Sequence, residues 1–406
     1  MKLLLPEFEH GPPGQKLKIL VIGSIPPYPG GAEISLGHFI DGFTRKGHAV
    51  TCISPASQKL ADACTEFDHR HPQYRVHRYS MPDLDLLPYR PDPEFASREK
   101  REIEKLFYPI VEQFRPDVII SGRDSYAPIV IPLANGAGLR CIQLLRGSPT
   151  AQILGGSYPA DLGRVFLEHL QCADQVIAVA EYMASGVRER GIAQAFCIPN
   201  AVDTRHFRPA ENKVSVLRKL GLPTNAPIIL SPSNLLPRKR PFDLLRAAEI
   251  ALQGRPDLHF IFLGQGTDAE KLALAVDRSP AKDNVHLLGW LDYEEMPGLL
   301  NAVDLVVMTS ESEGMSRACI ETMACAGLLI ASDIAPAREL VDDGRNGLLF
   351  PLGDFRALAE RILWSVEHPA EISQIGRQAR RDVLNRSYGP IIDRYLSALR
   401  KSARAV

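Results

Sequence analysis

Two glutamates eight residues apart, Glu313 and Glu321, are the best-placed side chains of this sequence for chemistry. An apolar stretch ending at Met308 precedes them, and Gly314 favours a turn directly after the first. If a helix begins near Ser316, Glu313 precedes its N-terminus and Glu321 lies about one and a half turns inside. The free N–H groups there would stabilise a phosphate, and Glu321 would accept hydrogen bonds from a diol such as a ribose. Two solvated glutamates are the alternative interpretation.

Three consecutive cations, Arg238, Lys239 and Arg240, follow another apolar stretch, residues 228–231, and the polar pair Ser233 and Asn234. Cations at the carboxyl end of a strand can neutralise a diphosphate. A solvated basic loop is the competing interpretation of such a run. The sequence therefore offers a candidate anion site here, close to a buried strand.

Glycines follow two further apolar stretches. Gly30 and Gly31 lie between the first strand and its helix, where they would let the backbone approach a ligand closely. Gly264 and Gly266 open another turn between a strand and a helix, for which a purely structural need is an equal explanation. The Gly30-Gly31 segment is not GxGxxG, so a dinucleotide fingerprint is missing where a dehydrogenase should have one.

The elements that position these residues alternate in type along the chain. Short apolar runs are separated by amphipathic stretches, which is typical of βαβ units around a parallel sheet. The rhythm breaks in residues 199–211, which are polar and contain prolines, and then restarts. We therefore predict two doubly wound α/β domains, with ligands at the carboxyl ends of the strands in the cleft between them. Strands are predicted at residues 17–23, 49–54, 75–79, 117–121, 140–145, 175–179, 195–198, 228–231, 259–263, 285–289, 305–308, 328–331 and 348–350.

The composition excludes several classes of protein. The 406 residues carry 47 basic and 48 acidic side chains, a net charge of −1, which argues against non-specific nucleic-acid binding. Seven cysteines without a CxxC pair favour free thiols in a reducing compartment, hence the cytoplasm. We expect no membrane-spanning segment and no cleaved leader, because no apolar run is long enough or suitably placed.

Taken together, the motifs resemble in order and spacing those of the retaining glycosyltransferase family 4. Members of that family have the GT-B fold, in which two Rossmann-like domains face a central cleft. The Glu313 to Glu321 pair matches the signature of that family. Other marks in the same order are Gly30-Gly31-Ala32-Glu33, Asn200-Ala201-Val202-Asp203, Lys239, Gly264-Gln265-Gly266, Val285 to Gly289, Ala302-Val303-Asp304 and Gly347-Leu348-Leu349. The resemblance covers about residues 17 to 400.

The resemblance implies that the two domains bind different substrates. Residues 1–205 would bind the acceptor, residues 206–388 would bind a nucleotide-sugar donor, and a final helix in 389–406 would cross back to the first domain. Transfer would proceed with retention at the anomeric carbon, the departing diphosphate taking the acceptor proton, with no metal or other cofactor required. A uridine donor is expected, since uridine donors are the commonest in the family.

Roles for single residues also come from the resemblance. Catalytic roles fall to Glu313, which would contact hydroxyls of the donor sugar, to Lys239 at the diphosphate, and to Arg146. Glu321 would hold the ribose. The other expected donor-binding residues are Gly30, Gly31, Ser233, Asn234, Arg238, Gly264, Leu288, Gly289, Gly314, Met315 and Ser316.

The chain departs from the family pattern in places. Many members have Gly-Arg-Leu where this chain has Ser233-Asn234-Leu235, so one expected cation is missing, and Arg238, Arg240 or Arg146 would compensate. Arg146 stands where many members have histidine; we expect it to face the donor and not to act as a base, because arginine stays protonated. Alternative functions are a weakly active or non-catalytic relative that binds a nucleotide sugar, a GT-B sugar-nucleotide epimerase or phosphorylase, and, least favoured, an NAD-dependent enzyme.

The sequence gives less information about the acceptor than about the donor. Residues 81–94 form a long proline-rich segment that we predict lines or covers the acceptor pocket. The acceptor would be a small molecule, a saccharide or a lipid-linked compound, with at most weak peripheral membrane contact, since the first half has no obvious basic amphipathic helix.

Overall fold

The computed structural model describes residues 15–28, 30–81, 93–211 and 213–400. The chain divides into two compact units. One unit runs up to Ala201 and takes up the chain again from Tyr388, and the other spans Val202–Ser387. Residues 82–92, most of the segment assigned to the acceptor pocket, lie outside the described residues. No helix in the described ranges is both long and apolar enough to cross a membrane.

The first unit is built on a parallel sheet of seven strands, counted over the described residues. Its order is β3-β2-β1-β4-β5-β6-β7, so the chain direction across the sheet reverses between β1 and β4. The strands are β1 (Lys18–Ile22), β2 (Ala49–Ala56), β3 (Arg75–Ser80), β4 (Val118–Ser121), β5 (Cys141–Leu145), β6 (Gln175–Ala178) and β7 (Ala195–Cys197).

Helices of the first unit fill the connections between these strands. Their apolar residues pack on the sheet in a core that includes Ile19, Phe39 and Ile142. The helices are α1 (Gly31–Arg45), α2 (Ala61–Arg70), α3 (Pro93–Phe114), α4 (Ala127–Gly136), α5 (Thr150–Leu154), α6 (Ala160–Gln171) and α7 (Glu181–Arg188).

The second unit repeats the plan with a parallel sheet of six strands within the described ranges. The order β10-β9-β8-β11-β12-β13 reverses between β8 and β11 and, counted from β8, is the 3-2-1-4-5-6 order of a Rossmann sheet. The strands are β8 (Ile228–Pro232), β9 (His259–Leu263), β10 (Val285–Gly289), β11 (Leu305–Met308), β12 (Leu328–Ser332) and β13 (Leu348–Phe350). The helices are α8 (Lys213–Lys219), α9 (Pro241–Gly254), α10 (Ala269–Arg278), α11 (Met296–Ala302), α12 (Arg317–Ala324), α13 (Ala335–Arg338), α14 (Phe355–Glu367) and α15 (Pro369–Val383).

The helix α16 (Tyr388–Arg400) belongs to the first unit, although it follows the whole of the second in sequence. Its buried face packs on α1, with the rings of Tyr395 and Phe39 4.6 Å apart. Gly42 of α1 is required at this contact, since a Cβ there would overlap the Ile392 side chain. Arg394 also donates a hydrogen bond of 2.9 Å to the Cys197 carbonyl. The helix therefore completes the core of a unit whose other residues end near Ala201.

Candidate functional site

The two switch points of the sheets gather most of the residues singled out in the sequence. In open α/β sheets, a crevice forms where the strand order reverses, outside the carboxyl ends of the strands. In the second unit this point lies between β8, which leads to Lys239, and β11, which leads to Glu313. In the first unit it lies between β1, which leads to Gly30, and β4.

The loops after β8 and β11 are bonded to each other through both backbone and side chains. Thr309 donates its hydroxyl to the Lys239 carbonyl at 2.7 Å, and the Glu311 N–H donates to the Arg238 carbonyl at 2.9 Å. The Arg238 guanidinium in turn donates to the Ser312 carbonyl at 3.1 Å. The cations and the carboxylates of this edge are therefore held in one framework.

Glu313 is the centre of that framework. Its carboxylate accepts hydrogen bonds from the Lys239 ammonium and, at 2.7 Å, from the Ser310 hydroxyl, and a nitrogen of Arg238 lies 3.6 Å away. Burial opposes its charge, but the Lys239 and Arg238 cations hold the pKa of Glu313 below its usual range. An ionised carboxylate between cations can accept hydrogen bonds from sugar hydroxyls while the cations face an anion.

The helix α12 begins where the sequence predicted, with Ser316 at its N-cap and Glu321 inside. Glu321 is buried, with only 6% of its surface exposed. Its carboxylate accepts a 2.7 Å hydrogen bond from Arg317, which also donates to the Tyr293 hydroxyl. Sequence reasoning missed Arg317 and Tyr293, although the four-residue spacing of Arg317 and Glu321 on one helix was a usable signal.

The remaining predicted residues of the second unit flank these two glutamates in sequence or lie on neighbouring strands. Leu288 and Gly289 end β10, at a break in its register with β9. Gly314 and Met315 are buried between Glu313 and α12. Arg240, offered as a substitute cation, instead bonds to Asp243 at 2.6 Å and lies 3.7 Å from Glu311.

Gly264 and Gly266 have a structural explanation. Both have positive φ, 151° and 156°, and a Cβ on either would overlap the carbonyl oxygen of Ser233 or of Leu235. The Leu235 N–H donates to the Gln265 carbonyl at 2.8 Å, so the two loops run side by side. These glycines let the segment that carries Ser233 and Asn234 pass close to the end of β9.

In the first unit, Gly30 caps α1 and lies under a carboxylate. A Cβ on Gly30 would overlap the Glu33 side chain, and the Ile34 N–H donates to the Gly30 carbonyl at 3.1 Å. Burial raises the pKa of Glu33, against the opposing effects of its own backbone N–H and of the Arg123 and Arg146 cations. Glu33 therefore lies within electrostatic reach of two arginines, of which the sequence analysis had singled out only Arg146.

Arg146 follows β5 and is held through its backbone. Its N–H donates to Asp124 at 2.7 Å, while its guanidinium lies 5.7 Å from the centre of the Phe39 ring. All three guanidinium nitrogens are buried and have no hydrogen-bond partner among the described residues. Burial lowers the pKa of Arg146, yet arginine remains a cation at neutral pH. A buried cation with free donors is a strong candidate to bind an anionic or hydroxyl-rich ligand.

Comparison with known proteins gives a consistent result. Two family models match consecutive parts of the chain, Glycosyltransferase Family 4 over residues 29–206 and glycosyl transferases group 1 over residues 214–382. A solved structure of the Anabaena protein HepE, in complex with UDP and glucose, superposes with a TM-score of 0.77 at 20% identity, covering 95% of this chain and 100% of that one. At that identity the likeness concerns the fold.

Curated relatives match over different lengths. A GDP-mannose-dependent monoacylated alpha-(1-6)-phosphatidylinositol monomannoside mannosyltransferase of Corynebacterium glutamicum is 31% identical over 196 residues, 46% of this chain and 50% of that protein. With several such relatives, the chain matches only about half of their length. A GDP-mannose-dependent alpha-(1-6)-phosphatidylinositol monomannoside mannosyltransferase of Mycolicibacterium smegmatis is 26% identical over 404 residues, 95% of this chain and 100% of that one. The chain therefore belongs to the glycosyl transferases group 1 family and has the GT-B fold.

Proposed function

We propose that this protein is a glycosyltransferase that moves a sugar from a nucleoside diphosphate sugar to a hydroxyl group of its acceptor, with retention of configuration at the anomeric carbon. The observation that carries the proposal is the Glu313 carboxylate bonded to Lys239 and Ser310 beside Arg238, at the switch point of the second sheet. A donor of this class has both a diphosphate, which needs cations, and hydroxyl groups, which need acceptors.

In this proposal the second unit binds the donor. Lys239 and Arg238 neutralise the diphosphate, and Glu313 accepts hydrogen bonds from the donor sugar. Glu321 holds the ribose hydroxyls, and the segment around Leu288 and Gly289 borders the base. The N–H groups of residues 314–316, just before α12, add positive potential at the phosphates. Ser233, Asn234 and Gly264 line the same edge.

The chemistry follows from charge placement. The acceptor oxygen bonds to the anomeric carbon while the bond from that carbon to the diphosphate breaks, and the acceptor proton passes to the departing diphosphate on the same face. Negative charge therefore builds on the leaving group, where the cations Lys239 and Arg238 stabilise it. No side chain has to act as a nucleophile. We expect turnover to persist with EDTA, as the family resemblance implies.

The first unit supplies the acceptor side in this proposal. Gly30, Gly31 and Arg146 also belong to this unit but, by the family resemblance, are expected to face the donor, and Arg146 has buried guanidinium donors for that role. A small molecule, a saccharide and a lipid-linked compound remain acceptor classes for screening.

Two donor bases are candidates. Uridine is the base expected from the family resemblance. Guanosine is favoured by the similarity, at 26% identity over 95% of this chain, to a mannosyltransferase described as GDP-mannose-dependent. A binding panel separates them directly.

The test is thermal unfolding with UDP, GDP, ADP, dTDP and NAD. A ligand at about 100 times its dissociation constant stabilises the folded state by roughly 2.7 kcal/mol, which shifts the melting temperature measurably. We expect a shift with UDP or GDP that is lost in Glu321→Ala, and none with NAD. No shift with any nucleoside diphosphate would contradict the donor site. Release of nucleoside diphosphate from the matching donor, on addition of acceptor, separates an active transferase from a relative that only binds.

A further inference from the structure

Arg317 links two residues that lie far apart in the second unit's sequence. Its guanidinium donates to the Glu321 carboxylate at 2.7 Å and also to the Tyr293 hydroxyl, and it lies 5.0 Å from the centre of the Tyr293 ring. The Arg317 and Glu321 side chains are each only 7% exposed. Arg317 and Glu321 therefore form a buried ion pair at the start of α12, and its carboxylate is the one proposed to bind the ribose.

Helix stability does not account for this arrangement. A cation in the first turn of a helix opposes the helix dipole, and an arginine four residues before a glutamate is the less favourable order of an ion pair. Burying the two charges also costs solvation free energy that their attraction only offsets when the geometry is good. A residue that costs stability at a ligand-binding position is more readily explained by what it does to its partner.

Two further aromatic rings pack near Tyr293. Its ring lies 5.4 Å from the ring of Phe207 and 5.7 Å from that of His206. Along the chain, Tyr293 follows β10 by four residues, immediately beyond the segment proposed to border the base. Tyr293 therefore connects the segment that borders the base to the carboxylate proposed for the ribose.

We propose that Arg317, anchored by Tyr293, is a positioning residue that fixes the Glu321 carboxylate for the ribose hydroxyls and so makes the enzyme selective for ribonucleotide over deoxyribonucleotide donors. The inference rests on the proposed function, in which Glu321 binds the ribose. Arg317 holds one carboxylate oxygen in place, so the rotamer of Glu321 is set before the nucleotide binds. A carboxylate that is already oriented loses less conformational entropy on binding.

The experiment measures dissociation constants by calorimetry for UDP and 2′-deoxy-UDP and for GDP and 2′-deoxy-GDP. The proteins are the wild type, Arg317→Lys, Tyr293→Phe and Arg164→Lys. The last is the matched control, because Arg164 and Glu168 form a pair of the same order and spacing, 3.0 Å apart, exposed on α6. Arg317→Lys keeps the charge but loses the planar guanidinium that bonds to two partners.

We expect the wild type to prefer the ribonucleotide. Arg317→Lys should weaken ribonucleotide binding by about 10-fold, the worth of one hydrogen bond to a charged group, and deoxyribonucleotide binding far less. Tyr293→Phe should shift the ratio the same way by a smaller factor, and it tests the inference even if Arg317→Lys does not fold. In turnover, the donor KM should rise while kcat stays within about 2-fold.

Each result has a distinct meaning. An unchanged ribonucleotide to deoxyribonucleotide ratio in folded variants would overturn the positioning role while leaving the donor site intact. A wild type that binds both forms equally would also overturn it. A wild type that binds no nucleoside diphosphate at all would remove the proposed function together with this inference. A shifted ratio in Arg164→Lys would mean that the effect is not specific to Arg317.

Discussion

The Lys239 ammonium is bonded to the Glu313 carboxylate, although 74 residues separate the two in the chain. Both side chains are largely buried, at 10% and 13% exposure. Their loops follow β8 and β11, neighbouring strands that pair in parallel. The two side chains meet because β8 and β11 are neighbours in the sheet. The pair places a cation and an anion side by side at the point where the strand order reverses.

Breaking this pair from one side should affect stability and activity differently. Lys239→Met leaves the Glu313 charge with less compensation, so we expect unfolding free energy to fall by about 3 kcal/mol. Turnover should fall at least 100-fold, because a cation at the leaving group is lost. The double variant Lys239→Met with Glu313→Gln should recover much of the stability and none of the activity. Urea denaturation and initial rates measure both, and parallel recovery of the two would contradict the proposed role.

His48 should make the stability of the first unit depend on pH. Its Nδ1 accepts a 3.0 Å hydrogen bond from the Leu17 N–H, which requires a neutral ring. Burial, and then the nearby cations led by Arg400, lowers the pKa of His48 from 6.5 to about 4. The unfolded chain therefore binds this proton more readily. The stability that the neutral His48 ring contributes is fully present above pH 6.5 and is lost as the pH falls towards 4.

The check is denaturant unfolding between pH 7 and pH 4.5. In His48→Asn, a side-chain oxygen can still accept the Leu17 N–H without titrating, so the pH dependence in this window should become flatter. A variant whose stability falls with pH as steeply as that of the wild type would exclude His48 as the cause.

Gly264 and Gly266 should tolerate no side chain. Gly264→Ala or Gly266→Ala puts a Cβ against a backbone carbonyl oxygen at positive φ, so we expect a loss of about 2 kcal/mol or more. Gly254→Ala is the control in the same unit, since a Cβ there meets nothing within 4 Å and alanine favours the helix. Melting temperatures of the three variants decide the matter, and equal values would show that the close loop passage is not essential.

The thiols should differ sharply in reactivity. All seven cysteines are free, but Cys172 is exposed, Cys197 is half-buried and the other five are buried. Burial raises the pKa of Cys319 and of Cys325 to about 12, so their thiolates are scarce at neutral pH. We expect one rapid phase with a thiol reagent on the native protein, and its loss in Cys172→Ser. A rapid phase that survives this substitution would place the reactive thiol elsewhere.

The strands were predictable because each is a short, buried apolar run. The observed strands include β9, β10, β11 and β13 at the predicted bounds, and the others differ by one or two residues at their ends. Such runs are typical of parallel sheets covered by helices on both faces. The same logic placed Ser316 at the start of α12, since a Gly turn and a polar residue precede its first apolar positions.

The contacts within the site were not predictable in the same way. The sequence singled out Lys239 and Glu313 separately, but their bond depends on two loops meeting after 74 residues. Arg240 looked equivalent to its neighbours, yet its left-handed backbone, with φ of 49°, turns it towards Asp243. Tyr293 had no motif around it. The partner that each side chain contacts depends on the direction in which the side chain points, and a pattern of residue types does not specify that direction.

The return of α16 to the first unit has a consequence for synthesis. Residues 202–387 form a contiguous unit, so all of its residues have been made before α16 is translated. The first unit, although translated earlier, lacks the buried Ile391, Tyr395 and Leu399 until the last helix is made. The apolar surface of α1 that packs against α16 therefore stays uncovered during the translation of the entire second unit. The unit that is translated first is thus the unit whose core is completed last.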